Sequence, residues 1–313
     1  ESVNMGDEGP PSLLRTLVSG GASGVASRFV THPMDVVKAR AQVAGALGGD
    51  AAYKSTARAL SNIARAEGVR GLYAGFGAVF AGVPFASAFY FAGYESAKWA
   101  IGPEGGSLAY VAAGLWAQGA AGLVYTPVDV IKERMQIQRM MPEATRYGYT
   151  GPFMALRSLV RTDGLLGPWK GYWANNATWW PWNVVYFVAY ENLRSAAADA
   201  TGASSGEAVS PGTSAVCAAG AAAVATVATN PIDVVKTRLQ ALPAEAAYGR
   251  GTLEIARGIA RAEGAKAFAA GIVPRTLAIA PGSMISFFAV ACKGCYRPPT
   301  PAPKISAAMM KSH

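Results

Sequence analysis

Pro33-Met-Asp35-Val-Val-Lys38-Ala-Arg40-Ala-Gln42, Pro127-Val-Asp129-Val-Ile-Lys132-Glu-Arg134-Met-Gln136 and Pro231-Ile-Asp233-Val-Val-Lys236-Thr-Arg238-Leu-Gln240 are one string written three times. The copies recur at intervals of about a hundred residues, so the chain is one unit repeated. Each copy sets a proline and a close acid–base pair inside an otherwise apolar stretch. Proline inside a helix removes an N–H donor and bends the axis. Charges held at such a place in a membrane are costly and mark a function.

Bulk properties narrow the class. The 313 residues are 51% hydrophobic and only 15% charged, and mean hydropathy is +0.21. That balance argues against a soluble enzyme. The apolar runs are rich in Gly and Ala, as needed where helices approach closely without a hydrophobic drive between them. A net charge of +9 is dispersed along the chain, with no basic run interleaved with stacking aromatics, so no nucleic-acid partner is expected. It suits loops that meet anionic lipid. Cys292 and Cys295 form one CxxC without the second pair or nearby His that a metal site needs. Cys217, among alanines, reads as a packing residue. Neither metal nor cofactor is expected. Residues 1–12 (ESVNMGDEGPPS) are acidic and polar, the wrong chemistry for a transit peptide, so targeting is expected to reside further along the chain.

Apolar stretches fall near residues 12–34, 75–100, 108–128, 171–197, 212–232 and 271–292. None is uniformly greasy, the pattern of helices that show lipid one face and line a polar space with the other. Between the members of each pair runs a short amphipathic segment: Thr56–Ala66, Pro152–Thr162 and Thr252–Ala262. Each ends in an acid–Gly pair (Glu67-Gly68, Asp163-Gly164, Glu263-Gly264), with the glycine a candidate C-cap. Eight residues after each acid stands another glycine, Gly75, Gly171 or Gly271, and nineteen further on come Tyr94, Tyr190 and Val290. The expected fold is an all-α membrane protein of six transmembrane helices in three pseudo-symmetric repeats, with short surface helices between. The expected units are a tail at 1–11, repeats at 12–104, 105–205 and 206–297, and a Pro-rich tail at 298–313.

Over residues 12–297 these motifs resemble the mitochondrial carrier family. The family string runs Pro-x-acid-x-x-base-x-base, then acid-Gly-x4-aromatic-base-Gly. Copy two fits throughout, with Trp169-Lys170-Gly171. Copy one has Ala74 in place of the base, and copy three has Ala269-Ala270 before Gly271. The resemblance implies a matrix gate of inter-repeat pairs, Asp35–Lys132, Asp129–Lys236 and Asp233–Lys38, braced by Gln42, Gln136 and Gln240. It also implies a cytoplasmic gate from aromatic-acid-x-x-base. Tyr94-Glu95-Ser-Ala-Lys98 and Tyr190-Glu191-Asn-Leu-Arg194 comply, whereas Val290-Ala-Cys-Lys293-Gly294 lacks the pattern, leaving Glu95–Arg194 as the surviving pair. Cardiolipin is an implied partner, with phosphate held at helix N-termini by Tyr149-Thr-Gly151 and Trp169-Lys170-Gly171.

Family members select cargo seven or eight residues after the repeated glycine. Here those places are Gly82, Thr178 with Trp179, and Ala278, none charged. A multiply anionic nucleotide is therefore not the expected cargo. Arg28, five residues before Pro33, either holds a cargo carboxylate, or pairs with a backbone carbonyl or helps to position the gate. Gln118 and His32 are candidate hydrogen-bonding neighbours, His32 in a structural role. The run Asn175-Asn-Ala-Thr178-Trp179-Trp180-Pro181-Trp182-Asn183 would make a π-rich wall. Thr178 followed by an aromatic, Arg28 and Pro127-Val-Asp129 are similar to the branched-chain amino-acid carrier branch. That implies a neutral amino acid or related monocarboxylate, moved by alternating access across the mitochondrial inner membrane. The alternative is a carrier-fold subunit of a larger inner-membrane complex that no longer transports, with protein partners pinning the Pro-rich tail. Without a nucleophile elbow, zinc spacing or phosphate-cradling loop, no catalytic residue is expected.

Overall fold

The computed structural model describes residues 13–53, 55–102, 107–200 and 210–291. The two tails, Cys292, Cys295, Lys293 and Gly294 lie outside the described residues. Six long helices carry the chain: α1 (Leu13–Ala44), α4 (Phe76–Ile101), α5 (Ser107–Ile137), α7 (Tyr172–Ala200), α8 (Pro211–Ala241) and α10 (Ile272–Ala291). Between them lie a single turn, α2 (Asp50–Tyr53), and three short helices, α3 (Thr56–Leu72), α6 (Pro152–Asp163) and α9 (Thr252–Ala262). Among the described residues there is no strand.

The long helices close into a ring, each packed on the next in chain order, with α10 returning to α1. The repeated string lies on α1, α5 and α8, which also touch one another pairwise. Pro33, Pro127 and Pro231 all sit inside these helices. A proline there forfeits one backbone bond and turns the axis, which suits three helices converging at their C-terminal ends. Small residues permit the close seams. A Cβ added at Gly93 of α4 would lie 2.8 Å from the Ala120 Cβ of α5, so the contact exists because that atom is missing. Cys217 packs on α7 with Tyr190.

The acid–Gly pairs end the short helices as expected. Gly68, Gly164 and Gly264 are all left-handed, and in α3 Gly68 breaks the helix internally. The second glycines have a further duty. Gly75, Gly171 and Gly271 also take positive φ, and each abuts the next repeat. Added Cβ atoms would lie 2.9 Å from the Lys132 carbonyl oxygen, 3.0 Å from Gln240 Cγ and 3.0 Å from Gln42 Cγ respectively. Any side chain would push the repeats apart at the level of the repeated string.

Below that level the helix ends and α9 share an apolar core. Val43, Ile137, Val234, Leu239, Leu242, Ile255 and Ile259 are buried in it. Outward, the long helices expose Phe80, Phe85, Trp116, Phe187, Val224 and Leu277. By length and composition, α4 and α8 are long and apolar enough to cross a membrane.

Candidate binding cavity and its gate

The repeated acids and bases meet where α1, α5 and α8 converge. Lys132 Nζ lies 2.9 Å from Asp35, Lys236 Nζ 2.9 Å from Asp129, and Lys38 Nζ 2.8 Å from Asp233. Each pair joins two different repeats, so together they tie the three repeats into a closed triangle. Such pairs are worth little in water and considerably more where water is excluded. The braces are unequal. Gln42 donates to Asp233 at 2.8 Å, reinforcing its pair with Lys38. Gln240 instead donates to the Lys170 carbonyl at 3.4 Å. The Gln136 side-chain amide, wholly buried, has neither of its polar atoms bonded. The expected threefold brace is one-fold in this geometry, because the glutamines differ in what their neighbours offer.

A second ring lies beneath, built from the last base of each string. Arg40, Arg134 and Arg238 donate from Nε to the backbone carbonyls of Gln136, Gln240 and Gln42, at 2.9, 3.2 and 2.9 Å. Each runs into the next repeat, and the third returns to the first. Their outer nitrogens grip the acids that end the short helices: Arg40 on Glu67, Arg134 on Asp163, Arg238 on Glu263. Arg40 and Arg238 do so as two-pronged forks, the strong geometry for a guanidinium. Burial alone would raise Glu67 and Glu263, yet the arginine bonds and charges hold both below the ordinary glutamate value. The role of this ring was not read from the sequence, although its residues all stand in the repeated motif.

Above the gate lies a cavity of about 600 Å³, within the range of sites for small ligands. Arg28, Trp179, Trp182, Asn183, Ala278 and Gln118 are on its wall, and the gate residues form its floor. Two expected contact residues are elsewhere. A Cβ at Gly82 would meet Val128 Cγ2 at 2.2 Å, so Gly82 faces α5 and its neighbour Val83 lines the cavity. Thr178 is fully buried and donates to the Ala174 carbonyl at 2.9 Å, leaving Trp179 to face inward. A one-residue step turns a helix by about 100°, enough to exchange seam for cavity.

Along α7 the aromatics form a stack. Trp179 meets Trp182 edge-on with ring centres 5.5 Å apart, and Trp182 lies parallel to Tyr186 at 5.0 Å. Trp182 Nε1 is tied to Thr226 Oγ1 at 3.2 Å, which fixes the ring.

The floor departs from threefold symmetry through three charges. Arg28 lies 3.7 Å from Asp35, favouring its gate-positioning reading in this geometry. Arg275, not singled out from the sequence, lies 3.3 Å from Asp233 and donates to the Thr226 carbonyl at 2.9 Å. Glu133, also passed over, lies 3.9 Å from Lys236. His32 is fully buried, 2.9 Å from the Ala74 carbonyl oxygen and packed between Tyr73 and Phe76.

At the far end no ion pair joins Glu95 to Arg194 among the described residues. Glu95 instead lies 3.5 Å from Lys98 on its own helix, and both are exposed, as is Glu191. Among the described residues the floor is closed by ion pairs between repeats, and no such pair crosses the far end. The lipid-binding candidates separate. Gly151 caps α6 beside the start of α4, where Gly77 faces Pro152. Trp169, which donates to the Leu123 carbonyl at 2.9 Å, stands with Lys170 and Gly171 beyond the other end of α6.

The family model described as mitochondrial carrier protein matches residues 9–105, 103–200 and 207–293. The chain is 32% identical over 286 residues to mitochondrial substrate carrier family protein E of Dictyostelium discoideum, covering 88% of this chain and 93% of that one. It is 31% identical over 275 residues to the mitochondrial S-adenosylmethionine carrier protein of Xenopus tropicalis, covering 86% and 91%. To S-adenosylmethionine carrier 1, chloroplastic/mitochondrial, of Arabidopsis thaliana it is 30% identical over 294 residues, covering 91% and 81%. With three matched repeats, a ring of paired helices and the inter-repeat ion pairs in place, the chain belongs to the mitochondrial carrier family.

Proposed function

We propose that this protein spans the mitochondrial inner membrane six times and moves an S-adenosylmethionine-like solute by alternating access. The observation that carries the reading is the juxtaposition, in one cavity, of a rigid aromatic stack and a floor bearing both signs of charge. A purine stacks on Trp182 and Trp179 as aromatic rings do on one another. An amino-acid head group is a zwitterion and needs an acid and a base together. The names of the S-adenosylmethionine carriers among the relatives point to the same chemistry. Of the cargoes expected from the uncharged contact points, a neutral amino acid shares the head group and a related monocarboxylate only its carboxylate, and neither brings a purine. The lipid-facing apolar residues of the long helices support the spanning arrangement. In this state the three ion pairs close the matrix side. Cargo shifts the equilibrium by binding the intermediate state better than either open one.

Ligand-dependent thermal stability of the purified protein in detergent tests the cargo. S-adenosylmethionine is expected to raise the melting temperature in a saturable way, with branched-chain amino acids, keto acids, folate and nucleotides giving less. A shift from a branched-chain amino acid alone would return the cargo to the smaller class. No shift from any solute, with co-purification in a large membrane complex, would favour the non-transporting subunit.

A further inference from the structure

Two charged groups on the cavity floor have unfinished bonding. Glu133 accepts at Oε1 from the Thr237 hydroxyl at 3.5 Å, while Oε2 is unpartnered. Its side chain is 4% exposed. Arg275 uses Nε on Asp233 and Nη1 on the Thr226 carbonyl, while Nη2 is unpartnered. Its side chain is 3% exposed. Both residues line the same cavity. Leaving a buried charged group short of a bond costs folding free energy, so such atoms mark places where a ligand can supply what the chain does not.

We infer that Glu133 and Arg275 form a head-group subsite for an α-amino acid: the Glu133 carboxylate takes the α-ammonium and the Arg275 guanidinium takes the α-carboxylate. The inference rests on the proposed cargo and names the residues that orient it. Arg275 suits the carboxylate better than Arg28, because its guanidinium is already fixed from two sides and loses little freedom on binding. Arg28 has a looser ion pair with Asp35, at 3.7 Å, and a partly exposed side chain. Glu133 has no counterpart in the other repeats, where Ala39 and Thr237 occupy its place. It is therefore free of the gate's threefold duty.

The placement also couples binding to the gate. Glu133 is the second acid near Lys236, and Arg275 is a second base on Asp233. A zwitterion that engages both draws one auxiliary charge from each of two gate pairs. Each end of the head group loosens one of the two pairs, so a single-ended analogue still passes and the full zwitterion loosens the floor most.

Uptake into liposomes by the full chain, with three labelled probes, tests this. The probes are S-adenosylmethionine, its 2-oxo analogue lacking the ammonium, and its decarboxylated analogue lacking the carboxylate. Glu133→Gln is expected to raise the half-saturation concentration for S-adenosylmethionine by roughly 10-fold or more, as for a lost bond to a charged group, and to leave the 2-oxo analogue unchanged. Arg275→Gln is expected to do the same for S-adenosylmethionine while leaving the decarboxylated analogue unchanged. Arg275→Lys, with melting temperature measured for every variant, covers the case in which Arg275→Gln fails to assemble. Equal losses across all three probes would make these residues merely structural and overturn the inference while the cargo stands. No uptake of any probe by the unsubstituted protein would overturn both.

Discussion

Arg238 in the third repeat donates its Nε–H to the backbone carbonyl of Gln42 in the first, at 2.9 Å and 196 positions away. That bond closes a ring of three equivalent ones, and the same guanidinium forks onto Glu263. The sequence motif thus encodes two stacked rings: lysines bind side chains across repeats, and arginines bind main chain across repeats. Only the second ring also anchors the short surface helices.

Removing Arg238 takes the donor from the Gln42 carbonyl and leaves Glu263 with its 3.0 Å bond from the Tyr248 hydroxyl and no cation. Arg238→Ala is expected to destabilise by about 3–5 kcal/mol, the range for breaking a buried pair from one side. Arg238→Lys should recover only part of this, because a lysine cannot fork. Apparent melting temperature in detergent is the measurement, and indifference to either change would deny the ring its structural role.

The lysines should not be equivalent. Loss of Lys132 leaves Arg28 within 3.7 Å of Asp35. Loss of Lys236 uncovers Asp129 and Glu133 together. Lys236→Ala is therefore expected to be the more damaging, by at least 1 kcal/mol on the scale for uncompensated buried charge. Thermal stability of the two variants, compared side by side, gives the order; equal or reversed losses would contradict it.

The glutamines give the opposite kind of contrast. Gln42→Leu removes a bond to a charged carboxylate and is expected to cost about 1.5–3 kcal/mol. Gln136→Leu removes an amide with no partner and should be neutral or slightly stabilising. A cost at Gln136 matching that at Gln42 would show that all three braces act alike.

Gly82 and Val83 test which face of α4 meets the cavity. Gly82→Ala drives a methyl into Val128 and is expected to cost about 1–3 kcal/mol by overpacking, with Val128→Ala relieving it. Half-saturation for the cargo should stay unchanged in Gly82→Ala. Val83→Phe should do the reverse, weakening uptake with little loss of stability.

Much of this was legible in the sequence because the repeat makes each position a witness for two others. Spacing alone located the turn glycines and the short helices, and the family resemblance supplied the inter-repeat pairs. What it concealed follows from the same cause. Glu133 stands inside the quoted string, but a motif read for what its copies share passes over the residue that differs. Arg275 lies one helical turn before Ala278, and repetition gives no sign of it because its counterparts, Val79 and Asn175, are uncharged. Gly82 and Thr178 were misplaced because spacing gives depth along a helix without its rotation. The unequal glutamines could not be read at all, since their bonds depend on partners such as the Lys170 carbonyl.

In the transport proposed above, one cavity, closed below by inter-repeat ion pairs, carries an adenosyl amino acid across the membrane. The most direct test is uptake of labelled S-adenosylmethionine by liposomes containing the purified full chain. Saturable uptake is expected, accelerated by unlabelled S-adenosylmethionine inside and abolished in Lys236→Ala. Uptake no faster than in protein-free liposomes, from a folded preparation, would contradict it.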